Sequence, residues 1–123
     1  MHIFKVFIIL LLALFMASLS YGGEADVIEV KVVKSGQDTY QFHVTVLHDD
    51  EGWKHYANKW DVVASDGTVL GTRTLYHPHV DEQPFTRSLS DVKIPASITE
   101  VIVRAHDSVH EYGGKTMKVI VPK

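Results

Sequence analysis

The chain has 123 residues, with 12 Lys and Arg against 15 Asp and Glu, a formal net charge of −3, and no cysteine. No basic patch stands out, which argues against a nucleic-acid partner. The missing thiols exclude disulfides, thiolate metal sites and cysteine nucleophiles.

The first stretch does not read as part of the fold. Lys5 gives a short basic start, Val6 to Met16 is an unbroken apolar run, and Ala17-Ser18-Leu19-Ser20-Tyr21-Gly22-Gly23 is small and polar enough to be cut. This three-part pattern predicts a secretory signal peptide over 1–22, cut between Ser20 and Gly23, and a mature domain over 23–123. The apolar run is short for a bilayer span and no stop-transfer pattern follows. The expectation is a periplasmic or secreted protein with no stable membrane span after cleavage. An uncleaved N-terminal anchor is the alternative; a lipid anchor on cysteine is set aside, because no cysteine precedes the cut. Without Lys5 the balance is 11 basic to 15 acidic side chains, about −4. Roughly 100 residues remain, enough for one domain with one core.

Helical periodicity is missing after residue 24, while alternation recurs. Val27 to Val33 is the first strand, with Ile28, Val30 and Val32 on one face. Ser35-Gly36-Gln37-Asp38 is a turn. Tyr40 to His48 is the clearest strand, with Tyr40, Phe42, Val44 and Val46 pointing one way. Asp49-Asp50-Glu51-Gly52 breaks it. Tyr56 to Val63 follows, with Tyr56, Trp60 and Val62 on one side; Asn58 shares that side, so it is hydrogen-bonded or a bulge shifts the register. Ala64-Ser65-Asp66-Gly67 is a hairpin turn. Thr68 to Tyr76 has two mixed faces and reads as an edge strand. His77-Pro78-His79-Val80-Asp81-Glu82-Gln83-Pro84 is a loop stiffened by its prolines. Phe85 to Leu89 is a short strand and Ser90 to Ala96 a connection. Ile98 to Ala105 and Lys115 to Val121 are the last strands, joined by a loop ending in Gly113-Gly114.

Seven short strands at regular spacing predict an all-β, antiparallel sandwich of immunoglobulin or fibronectin-III type, with Trp60 between the sheets. A small closed barrel is the alternative. Alternating strand direction then sends the loops at 48–55, 77–84 and 106–114 to one end. Six histidines fall in or beside them: His48, His55, His77, His79, His106 and His110. So do seven carboxylates, Asp107 and Asp50 among them. Loops at one end of a rigid sandwich are a usual place for a grafted site.

Each residue has a plain reading beside the functional one. His77 and His79 have ligand spacing around Pro78. His106 and His110 suit a metal only if their loop turns helically; otherwise Asp107 simply caps the turn. His48 continues the inward parity of Phe42, Val44 and Val46, as a rim ligand or as a core histidine satisfied by a carboxylate. His55 reads as surface. The carboxylates read equally as a solvated face. Trp53 and Tyr112 form an aromatic wall or cover the core end. Arg87 and Arg73 pair with Glu82 or Asp81 and pin the loop. Without cysteine, imidazole plus carboxylate suits Zn²⁺ or Cu²⁺. Carboxylates alone would suit Ca²⁺ but leave the histidines idle. No Ser/His/Asp order and no phosphate-cradling glycine loop stands out, since Gly113-Gly114 precedes a strand.

The run from Gly52-Trp53 through His55-Tyr56-Ala57, Trp60, Asp66-Gly67 and His77-Pro78-His79 to Glu82-Gln83-Pro84-Phe85-Thr86-Arg87 resembles a group of small exported bacterial immunoglobulin-like β-sandwich proteins of uncharacterised function. The resemblance covers most of the mature chain. It implies the sandwich and export, and brings no activity or assigned residues. The expected function is an exported binding module for a divalent transition metal at the loop end, with His77, His79, His106, His110 and His48 as ligands. The alternative is a metal-free sandwich that binds a protein or small ligand with the same end, anchored by Trp53, Tyr76 and Tyr112. A small metallohydrolase ranks behind both, for want of room for a cleft.

Overall fold

Alternation runs without a fault through β2 (Thr39–Leu47): Tyr40, Phe42, Val44 and Val46 are fully buried, while Gln41, His43 and Thr45 between them are not. The computed structural model describes residues 23–123; the expected signal peptide lies outside the described residues. The other strands are β1 (Asp26–Gly36), β3 (Ala57–Ala64), β4 (Val69–Thr74), β5 (Phe85–Lys93), β6 (Glu100–Asp107) and β7 (Met117–Ile120). They form two antiparallel sheets, one ordered β1-β2-β5 and the other β4-β3-β6-β7. Among the described residues there is no helix, so none is long and apolar enough to cross a membrane.

The core lies between the sheets. Trp60 from β3 is fully buried there with Tyr40, Phe42, Phe85, Val62 and Val103. Burying such large side chains stabilises by about 2–3 kcal/mol each. β4 is an edge of its sheet, which is why neither of its faces is cleanly apolar.

Three local features depart from simple alternation. A register shift between Val27 and Glu29 inserts a residue into β1, so Val27, Val30 and Val32 face the core and Ile28 turns out to solvent, 42% exposed. In β3 a shift between Ala57 and Lys59 makes Ala57, not Tyr56, the inward residue before Trp60. Asn58 sits at that bulge, and its Oδ1 accepts a 2.6 Å hydrogen bond from His106 Nδ1. Finally, β5 does not stop at Leu89. It crosses an irregularity opposite Tyr40 and Phe42, with Asp91 at φ 58°, and runs on to Lys93. The expected connection thus carries two core side chains, Val92 and Ile94.

The loops after β2, β4 and β6 leave the sandwich at one end. Gln83 ties two of them together: its Oε1 accepts from His48 N at 2.9 Å, and its Nε2 donates to His79 O at 3.0 Å. The Gln83–Pro84 peptide bond is cis. Arg87 pairs with Glu82 at 2.9 Å, closing the β4–β5 loop onto β5.

Candidate metal centre

The last residue of β6 is Asp107, fully buried. Its Oδ1 accepts the main-chain N–H of Val109 at 3.2 Å and that of His110, an Asx turn that ends the strand. The turn folds His110 back, so that its Nδ1 lies 2.9 Å from Asp107 Oδ2. Two more imidazoles reach the same oxygen. His48, one residue past β2, brings Nε2 to 2.9 Å, and His55, two residues before β3, brings Nε2 to 3.0 Å. The two Nε2 atoms are 3.3 Å apart. The Gly23 carbonyl oxygen is 2.7 Å from His48 Nε2 and 3.0 Å from His55 Nε2. His48, His55 and Asp107 form a group that could hold a metal ion.

The far sides of the rings are fixed too. His48 Nδ1–H donates to Asp50 Oδ1 at 2.5 Å, and His55 Nδ1–H donates to Glu51 Oε1 at 3.1 Å. Asp50 is a buried hub: the same Oδ1 accepts Ala57 N at 3.0 Å, and Oδ2 accepts His79 N at 2.6 Å. In the neutral tautomers with protons on both Nδ1 atoms, both Nε2 lone pairs are aimed at the space beside Asp107 Oδ2. A carboxylate oxygen, a carbonyl oxygen and two imidazole lone pairs repel one another unless something positive lies between them.

Charge makes the same demand. Asp50 and Asp107 have fully buried side chains, and among the described residues no Lys or Arg pairs with either. The third buried carboxylate, Asp61, differs: Arg104 lies 3.3 Å away and the hydroxyls of Thr72 and Tyr112 donate to it. Burial by itself would raise Asp107, but in the metal-free form with protons on the ring nitrogens that face it, the hydrogen bonds from His110, His55 and His48 outweigh burial and hold the carboxyl down at about 2. Burial pulls His55 down, yet its bonds to Asp107, Gly23 and Glu51 win and lift it above the ordinary imidazole value. The bond to Asp107 also raises His110.

Of the five histidines expected as ligands, His48 and His110 meet at this cluster, while the other three lie around it. His79 is buried, stacked on Phe85 at 4.1 Å between ring centroids, and neither ring nitrogen has a hydrogen-bond partner among the described residues. Its burial, with Arg87 and His77 nearby, lowers it. It is linked to the cluster through Asp50, which accepts its N–H, and through Gln83, which bridges its carbonyl to His48 N. His77 is exposed, with its ring 4.7 Å from that of His79 and its Nδ1–H donating to Pro78 O at 3.2 Å. His106 points to the other face of β6, toward Asn58 and Tyr112, and burial lowers it. Sequence reasoning placed His55 and Asp107 at this end but left both out of the expected ligands, reading His55 as surface and Asp107 as a turn cap or one of seven carboxylates there. Strand parity carries no information for His55, because it lies in a loop. The available signal was the pairing of His48 and His55 across a seven-residue loop with Asp107 and His110 three apart.

The aromatic residues expected as a wall are divided. Trp53 is 68% exposed and meets Tyr56 edge-on. Tyr112 instead covers the β6 surface, with the Arg104 guanidinium 4.0 Å over its ring.

Among curated proteins, 96 residues at 43% identity pair this chain with a protein of Halomicrobium mukohataei named "Putative lipoprotein". The matched stretch is 78% of this chain and 47% of that protein, so the chain spans about half the length of the relative it matches. No protein-family model and no solved structure matches the chain.

Proposed function

We propose that this chain is an exported binding module holding one divalent transition-metal ion, zinc or copper, between His48 Nε2, His55 Nε2, His110 Nδ1 and Asp107 Oδ2. The observation that carries the reading is the convergence of three imidazole nitrogens on one carboxylate oxygen at 2.9–3.0 Å, with no Lys or Arg among the described residues paired to that carboxylate. Tetrahedral metal bonds of about 2.0–2.1 Å put ligand atoms about 3.3 Å apart. The two Nε2 atoms have that spacing, and the three contacts to Asp107 Oδ2, at 2.9–3.0 Å, are a few tenths shorter. Imidazoles bound through one nitrogen and tied to a carboxylate through the other are the usual second-layer arrangement of metal sites. A divalent ion would also neutralise the two buried carboxylates. A purely protonic account needs protons on both facing Nε2 atoms, which lie 3.3 Å apart.

Export is part of this reading. It rests on the N-terminal apolar run and on the name of the Halomicrobium mukohataei relative as a lipoprotein. The fold is read as fibronectin-III-like, because seven strands divided β1-β2-β5 and β4-β3-β6-β7 are what such a sandwich contains. The bound ion would be stored, delivered or used for docking. The metal-free reading keeps one support: Trp53, Tyr76 and Val80 are all more than half exposed on loops at the same end.

The test is calorimetric titration of zinc and copper(II) into the metal-stripped protein and into His48→Ala and His110→Ala. One equivalent bound tighter than about micromolar, and lost in both variants, supports the proposal. Binding weaker than that in the unmodified protein overturns it.

A further inference from the structure

The main chain at Gly23 is held in place by more than the cluster. Ala25 is fully buried, Val27 N donates to Lys115 O at 2.9 Å, and Lys115 N donates to Asp26 Oδ1 at 2.7 Å. The segment entering β1 therefore lies along the end of the β6–β7 loop. It lies so close that a Cβ on Gly114 would fall 1.9 Å from Ala25 O. Gly23 itself has φ +114°, where side chains are strained, and a Cβ there would come within 2.6 Å of His110 Cε1. The glycine pair that fits no phosphate loop thus has a structural use. It lets the incoming chain approach until the Gly23 carbonyl stands over His48 and His55.

We propose that the Gly23 carbonyl oxygen is a fifth ligand that closes the centre. The inference rests on the metal reading above. The oxygen accepts only, like the two Nε2 lone pairs and Asp107 Oδ2 around it, so a cation among them satisfies all four. Three nitrogens and two oxygens complete a five-coordinate site, which zinc and copper(II) accept. A catalytic zinc keeps a position open for water or substrate. With Gly23 in place this ion has none, so it is held, not offered to a substrate. Metal binding then adds to the docking of residues 23–25 that the β6–β7 loop already provides.

The test uses the full chain loaded with cobalt(II), whose visible bands report coordination, with azide as the probe for an open position. Zinc affinity is measured beside it by chelator competition. Gly114→Ala pushes the incoming segment, and the Gly23 carbonyl with it, off the β6–β7 loop by its clash with the Ala25 main chain, and its added carbon meets none of the other ligands. Gly67→Ala is the control, since nothing lies within 4 Å of its added carbon. The expected result is that azide leaves the unmodified and Gly67→Ala spectra unchanged but shifts that of Gly114→Ala, whose zinc affinity falls about tenfold or more. Bands of the unmodified protein that move with azide overturn the proposal. So does a Gly114→Ala protein with unchanged affinity and no azide response. If Gly114→Ala does not fold, as judged by its metal-free circular dichroism, the azide response of the unmodified protein decides alone. A chain that takes up neither cobalt nor zinc removes the metal reading itself.

Discussion

His48 Nε2 and Asp107 Oδ2 lie 2.9 Å apart although 59 residues separate them in the chain. One closes β2 in the first sheet and the other ends β6 in the second, so the contact bridges the sandwich at its loop end. It exists only when both sheets are docked. Its chemistry therefore reports on the whole fold, which is why changes at the cluster should affect both stability and binding.

Asp107→Asn separates those effects. The amide keeps an acceptor for the turn but loses the charge that three imidazoles share. We expect the metal-free protein to lose about 2 kcal/mol at neutral pH, read from urea denaturation, and metal affinity to fall by at least 100-fold, read by titration. A variant with unaltered metal affinity would remove Asp107 from the ligand set.

Asp50→Ala tests the buried hub. It strips a hydrogen bond from His48 and leaves two main-chain N–H groups, of Ala57 and His79, without an acceptor. The loss should be about 3 kcal/mol, with a further 10–100-fold drop in metal affinity from the freed His48 ring. Thermal melts with and without zinc measure both.

His77→Ala and His106→Ala should leave metal binding within about twofold of the unmodified protein, because the one side chain is exposed and the other faces Asn58. His79→Phe keeps the stacking on Phe85 and removes two buried, unpartnered nitrogens. We expect it to be neutral or to stabilise by about 1 kcal/mol. A large loss in the melting temperature would show that the imidazole of His79 has a polar role.

The pH dependence should differ between the metal-free and loaded forms. In the metal-free protein the contribution of Asp107, depressed from 3.8 to about 2, is present above about pH 4 and is lost as pH falls through about 2. His55 and His110 are raised, so their contribution is complete below 6.5 and is lost as pH rises through their folded values. His79 is lowered and works the other way: its contribution is present above 6.5 and is lost as pH falls through its folded value. Metal requires the cluster imidazoles unprotonated, so loading releases protons and strengthens with pH. The zinc-induced rise in melting temperature should therefore be small at about pH 5.5 and large at about pH 8. A rise of the same size at both would argue against imidazole ligands.

How much of this was legible in the sequence follows from the range of each signal. Alternation is local, so Tyr40 to Val46 and Trp60 revealed their inward faces, and seven strands could be read in order. The same alternation placed the histidine-rich loops at one end. It failed where one extra residue reverses a face, at Ile28 and Tyr56, and at Asp91, where an irregular residue hid the continuation of β5 to Lys93. The cluster itself was only half legible. His48 and His110 could be named from composition and loop position. His55 could not, because its ring is placed by a loop, and Asp107 could not, because capping and gathering imidazoles use the same carboxylate. The sequence by itself determined the strands and the end at which they gather imidazole. Tertiary structure alone decided which nitrogens share one oxygen, because contacts within 3 Å are fixed by sheet docking and loop packing, and neither leaves a local pattern in the chain.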